Sequence, residues 1–162
     1  MHNNITLTWQ IVDEYLWKIE QQIRASGFTP DYIVGIVRGG AIPAVLLSHR
    51  LGIPVVMVHW NTRDKGIDHR ESNAWLSEDI NFNNKKVLVV DDIVDTGKTI
   101  EELFEDWSAC KEVGAEPTLA LDNIRVCAII YNEVQHMYVD YFGQAINRND
   151  DDRWVQFPWE TK

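Results

Sequence analysis

The residues with the most specific chemistry lie in one stretch, Val87-Leu88-Val89-Val90-Asp91-Asp92-Ile93-Val94-Asp95-Thr96-Gly97-Lys98-Thr99-Ile100. An apolar run ends in two adjacent acids, a third acid follows, and Thr-Gly-Lys-Thr opens the next segment. Taken as a strand running into a helix, the turn presents the backbone amides of Thr96, Gly97, Lys98 and Thr99, donors that a helix start leaves unpaired. With the two threonine hydroxyls they form a nest for a phosphate, and Gly97 allows close backbone approach. Asp91 and Asp92 would repel that ligand unless they met neutral hydroxyls or a divalent cation. A ribose 5-phosphate with Mg²⁺ satisfies both requirements, since magnesium takes one or two carboxylates plus substrate oxygens. Two other readings fit less well. Gly97-Lys98-Thr99 matches the end of a nucleotide-binding P-loop, but the glycine required five positions earlier is Asp92. Simple helix capping accounts for Asp95 or Thr96 and leaves the other acids unexplained.

A second turn of the same kind is Ile36-Val37-Arg38-Gly39-Gly40-Ala41-Ile42-Pro43. Arg38 offers a permanently charged planar fork suited to phosphate oxygens. Between 61 and 78 the pattern dissolves into Arg63, Asp64, Lys65, Gly66, Asp68, His69, Arg70 and Glu71. So long a polar connection within one domain is more often functional or mobile than decorative.

These turns need rigid elements beneath them. Trp9, Val12, Leu16, Ile19 and Ile23 recur at helical spacing, with Thr8 as N-cap and Gly27 as stop. Tyr32 to Val37 reads as a strand buried on both faces, and a helix then runs to about Leu51, ended by Gly52. Ile53 to Trp60 and Lys86 to Val90 read as further strands. A helix follows from about Gly97, with Ile100, Leu103, Phe104, Trp107 and Cys110 on its buried side and Gly114 as its stop. Val126 to Tyr131 predicts a fourth strand and Met137 to Phe142 a short fifth. The alternation predicts an α/β fold with a largely parallel central sheet flanked by helices, as a single domain over 1–162.

The composition agrees. The chain has 162 residues, and 15 basic against 25 acidic side chains give a net charge of −10. Such a balance disfavours a nucleic-acid partner or an anionic membrane surface. No apolar run approaches a membrane span, and no signal sequence is evident at the N-terminus. Two cysteines without pair spacing, Cys110 and Cys127, fit a reducing cytoplasm.

The stretch from Val87 to Ile100 resembles the phosphoribosyl-pyrophosphate (PRPP) signature of the type I phosphoribosyltransferases. The tail is similar to that of the xanthine-guanine and hypoxanthine-guanine members. The resemblance implies that Asp91 and Asp92 hold the ribose hydroxyls and Mg²⁺, that Thr96, Gly97, Lys98 and Thr99 hold the 5′-phosphate, and that Asp95 is the catalytic proton acceptor facing the base. Arg38, Gly39 and Gly40 correspond to the pyrophosphate loop, in which relatives hold a non-proline cis peptide, here expected at Val37–Arg38. The region about 61–79 corresponds to a flexible loop, with Arg63, Lys65 and Arg70 (and His69) as pyrophosphate contacts. A hood is implied from about 1–28 and 137–162, where Trp154 stacks on the base, Val155 reads its edge and Glu160 lies near the metal. The bland reading of Trp154, Phe157 and Trp159 is a latch on the N-terminal helix or a dimer contact. Relatives using 6-oxopurines usually carry a lysine where this chain has Asn132, which donates without charge; the base is then bound more weakly, is a different one, or meets a substitute such as Arg148 or Arg153. The implied activity is Mg²⁺-dependent transfer of ribose 5-phosphate from PRPP to a purine base in salvage, by a cytoplasmic homodimer or homotetramer. The alternatives are a non-catalytic PRPP or nucleotide sensor, and a transferase for a non-purine acceptor.

Overall fold

The computed structural model describes residues 4–60, 70–109 and 119–160. Five strands form the central sheet: β2 (Tyr32–Val37), β3 (Val55–His59), β4 (Val87–Val94), β5 (Ile124–Asn132) and β6 (Tyr141–Ile146). β1 (Ile5–Thr6) and β7 (Val155–Gln156) form a separate two-stranded sheet. The helices are α1 (Trp9–Ser26), α2 (Ala41–Leu51), α3 (Ala74–Asn81) and α4 (Lys98–Ala109). The sheet order is β3-β2-β4-β5-β6, and every pairing within it is parallel.

Alternation along β4 divides the core into two layers. Leu88 and Val90 pack with Val12, Leu16, Ile19, Ala44 and Leu47, so α1 and α2 cover that face. Val87 and Val89 pack with Leu76, Ile80, Leu103 and Trp107, so α3 and α4 cover the other. α1 begins where the Thr8 side chain accepts a hydrogen bond from the Ile11 amide and ends at Gly27 with φ 72°, as its capping residues predict. α2 ends at Gly52 with φ 68°. Among the described residues no helix is long and apolar enough to cross a membrane.

The chain departs from its sequence pattern in three places. β4 does not stop at Val90 but carries Asp91 and Asp92 within it, Asp91 lying opposite Ala128 of β5. The last sheet strand begins at Tyr141, later than the stretch Met137 to Phe142, because Asp140 turns inward and its carboxylate accepts the Val126 amide at 2.8 Å. The polar connection expected over 61–79 gives way at Ala74 to a helix, which buries Leu76, Ser77 and Ile80. Residues 61–69, with Arg63, Lys65 and His69, lie outside the described residues, as do Cys110 and Gly114. The chain leaves and re-enters the described structure through an antiparallel bridge, with the His59 amide on Glu71 O at 3.0 Å and the Glu71 amide on His59 O at 2.7 Å.

Candidate active site

The strand order sets the location. β2 connects outward to β3 on one side, whereas β4 leads to β5 and β6 on the other, so the ends of β2 and β4 flank the point where the winding reverses. In open α/β sheets a ligand crevice opens there, beyond the carboxyl ends of the strands. Both turns singled out in the sequence emerge at this point. The Val37–Arg38 peptide is cis, and Arg38 is exposed at the strand end. Gly39 lies against Asp92, since a Cβ built on it would fall 2.6 Å from Oδ1 and closer still to the rest of the carboxylate. Gly40 is held as tightly, with a Cβ there meeting Ile36 O at 2.7 Å.

After β4 the chain makes a short turn into α4, and Asp91, Asp95, Thr96, Gly97, Lys98 and Thr99 line a shallow, open pocket. Gly97 adopts φ +79°, and any side chain there would strike Met137 Cβ at 2.6 Å and Gln135 Oε1 at 2.8 Å. The loop after β5 therefore backs the turn and only glycine fits. Thr96 Oγ1 accepts the Lys98 amide at 3.4 Å. The Lys98 ammonium lies 3.6 Å from Glu102, whose second oxygen is 3.7 Å from Arg70. Arg70 also lies over the Trp60 ring, 5.6 Å from its centroid. Of the three cations predicted to line the loop, the structure thus brings Arg70 to the start of α4.

The acids divide into two groups. The Asp91 carboxylate accepts the Asp92 amide at 2.9 Å, and that of Asp92 accepts the Ile93 amide at 2.7 Å. Removal from water raises the Asp92 carboxyl above its ordinary range, the opposing hydrogen bonds notwithstanding, and the negative charge of Glu160 adds to the rise. Glu160 itself accepts the Phe157 amide at 2.9 Å. Hard, adjacent carboxylates of this kind suit Mg²⁺, which needs only one or two of them beside substrate oxygens. No group of three or more acidic, histidine or cysteine side chains forms a complete protein cage among the described residues. The donor set fits a metal shared with the substrate.

Asp95 stands apart from that pair. Its Oδ1 accepts Arg148 Nε at 3.0 Å and its Oδ2 accepts Arg148 Nη2 at 3.4 Å, a two-point ion pair. The Asn132 side-chain amide donates to the Asp95 carbonyl at 2.9 Å and to Oδ1 at 3.4 Å. Asn132 Oδ1 accepts the Val134 and Arg148 amides at 3.4 and 3.3 Å. Sequence reading placed Arg148 only among several substitutes. Its pairing with Asp95 spans 53 positions, and no local pattern signals it.

Segments near the two chain ends meet in a small sheet of their own. β1 and β7 pair in parallel, with Ile5 donating to Trp154 O at 2.8 Å and Leu7 to Gln156 O at 2.9 Å. Phe157 is buried and stacks on Trp159 at 4.9 Å, and Trp159 meets Trp9 of α1 at 5.7 Å. Those two aromatics form the latch that the bland reading anticipated. Trp154 does not join it and remains 54% exposed, while the adjoining Val155 is buried.

Comparison with known proteins follows the same lines. The model of the phosphoribosyl transferase domain matches residues 3–162. A curated xanthine-guanine phosphoribosyltransferase from Chromohalobacter salexigens is 25% identical over 170 residues, covering 98% of this chain and 85% of its own. The orotate phosphoribosyltransferase 2 of Mesorhizobium japonicum is 36% identical over 90 residues, which is 56% of this chain and 41% of that one. This chain thus spans less than half the length of that orotate relative. The crystal structure of a purine phosphoribosyltransferase from Pyrococcus horikoshii superposes with a TM-score of 0.68 at 29% identity, covering 100% of this chain and 96% of the other. A crevice between two strand-end turns and a match over nearly the whole length agree: the chain belongs to the phosphoribosyltransferase family.

Proposed function

We infer that the protein transfers ribose 5-phosphate from PRPP to a ring nitrogen of a purine base, giving a nucleoside monophosphate and pyrophosphate. The observation that carries this reading is the approach of Gly39 to Asp92 at the winding reversal. It puts an arginine-bearing turn suited to pyrophosphate beside a turn suited to a sugar phosphate. The amides of Thr96 to Thr99 would take the 5′-phosphate at the start of α4. Asp91 and Asp92 would face the ribose hydroxyls and hold Mg²⁺, with Glu160 behind them. Bound there, the ion supplies positive charge against the departing pyrophosphate. Arg38 and the Gly39–Gly40 backbone supply the same from the protein side, fixed before the reaction begins.

In the reaction a base nitrogen forms a bond to C1′ as the C1′–oxygen bond breaks, and pyrophosphate leaves with that electron pair. The proton released from the base passes to a carboxylate oxygen of Asp95, a role typically worth about 10²–10⁴-fold in rate. Trp154, 54% exposed, would offer a face for the ring, with the Val155 backbone next to it. The net charge of −10 does not prevent polyanion binding. Salt screens distant charge within about 8 Å, leaving the local donors in control.

The orotate relative keeps a second acceptor in view, since its 36% identity exceeds the 25% of the xanthine-guanine relative, over a shorter segment. Pyrophosphate release from PRPP, measured with guanine, xanthine, hypoxanthine, adenine, uracil and orotate, separates the two. Release with an oxopurine is expected. Release with orotate alone would replace the purine reading, and release with none would leave a non-catalytic binding module.

A further inference from the structure

We propose that Arg148 determines which base is accepted: it presents a charged donor to a 6-oxo group and so selects 6-oxopurines over 6-aminopurines. The proposal rests on the transferase reading of the site. Three residues could supply a donor where relatives use lysine, and their hydrogen bonds distinguish them. Asn132 is buried, and its amide and carbonyl are taken up by Asp95 and by the backbones of Val134 and Arg148. The Arg153 guanidinium pairs with Asp151, at 2.8 and 2.6 Å, and among the described residues it makes no bond to Asp95 or Asn132. Arg148 is placed differently. Nε and Nη2 lie on the Asp95 carboxylate, while Nη1 donates to the Arg153 carbonyl, the peptide leading into Trp154, at 2.6 Å. Nη1 also reaches Asp151 O at 3.5 Å. A guanidinium has five N–H donors, two of them on Nη2, and one of those two has no partner among the described residues.

Arg148 therefore sits between the proton-accepting carboxylate and the aromatic that would stack on the base. Asp95 and Arg148 side by side form an edge that accepts at one position and donates at the next. A 6-oxopurine carries the complement, with a ring N7–H beside the C6 oxygen. Adenine sets an amino group against a donor instead, and a guanidinium cannot turn acceptor because it is never deprotonated. The same chemistry makes arginine the commonest reader of guanine O6 and N7 in nucleic acids. A charged donor also gives a stronger bond than the neutral amide of Asn132 could.

The test is calorimetric binding of inosine 5′-monophosphate and AMP to the wild type and to Arg148→Gln. The wild type is expected to prefer the inosine nucleotide by about tenfold or more. In R148Q that ratio should fall towards one, through loss of the inosine nucleotide. Equal weakening of both ligands, an unchanged ratio, or no wild-type preference would overturn the proposal. If R148Q does not fold, the guanidinium resonances of Arg148 in the wild type, assigned by their loss in Arg148→Lys, carry the test. They should move with the inosine nucleotide and not with AMP; the same response to both overturns the proposal. Absence of pyrophosphate release with every base, alongside the expected ratios, would overturn the transferase reading and leave only a nucleotide-binding preference set by Arg148.

Discussion

Gly39 and Asp92 meet across the winding reversal of the sheet, so closely that the glycine's missing side chain is the space the carboxylate occupies. Asp92 cannot retreat easily, being anchored on the Ile93 amide at 2.7 Å. Gly39→Ala should therefore displace the carboxylate from the sugar side of the crevice. PRPP affinity, followed by calorimetry, is expected to fall by more than about tenfold, the equivalent of about 1.4 kcal/mol. Binding within twofold of the wild type would mean that Asp92 does not face the ligand.

Asp95 carries the proposed proton transfer and is held by Arg148. Asp95→Asn keeps the shape but offers a much weaker base. With saturating PRPP and base, kcat should drop by about 10²–10⁴-fold, while PRPP affinity stays close to that of the wild type. An unchanged kcat would remove Asp95 from that role.

Trp154 is 54% exposed and lies outside the Phe157–Trp159–Trp9 latch. Trp154→Ala should leave the melting temperature nearly unchanged. It should raise KM for the base by about 5- to 150-fold, the loss of about 1–3 kcal/mol of stacking. Trp154→Phe should restore most of that loss. A large fall in melting temperature with unchanged KM would assign Trp154 to the latch instead.

Burial raises the Asp140 carboxyl above its ordinary value of 3.8, outweighing the Val126 amide and the Arg125 charge that act against it. The folded protein thus holds this proton more tightly than the unfolded chain does. The resulting stabilisation is complete below the unfolded value and is lost as pH rises through the folded one. Asp140→Asn is neutral throughout and can still accept the Val126 amide. Its melting temperature relative to the wild type should climb as pH rises from about 4 through the folded value. A pH-independent difference would show that Asp140 titrates alike in both states.

What the sequence made legible follows from the range of the interactions involved. Thr8, Gly27 and the apolar stripe of α1 are local signals, and the helix begins and ends where they place it. The two strand-end turns are local as well, each a few residues of unusual composition. The extension of β4 through Asp91 and Asp92 was hidden because two acids interrupt the apolar run, although the ladder with β5 continues past them. α3 has weak capping, with Asn73 at φ 58° and its side chain donating to the Met57 carbonyl rather than capping the helix, so nothing marks its start. β1 and β7 are two residues each and pair Ile5 with Val155, a contact no short window can show. For the same reason the Arg148–Asp95 pair had to await the fold.

The central claim is that the turn from Asp95 to Thr99 grips the phosphate end of a sugar whose hydroxyls rest on Asp91 and Asp92. A crystal structure of the protein with PRPP and Mg²⁺ tests it most directly. The account predicts the 5′-phosphate against the amides of Thr96, Gly97, Lys98 and Thr99, and the ribose hydroxyls within hydrogen-bond reach of both aspartates. A phosphate bound elsewhere, or aspartates directed away from the sugar, would contradict it.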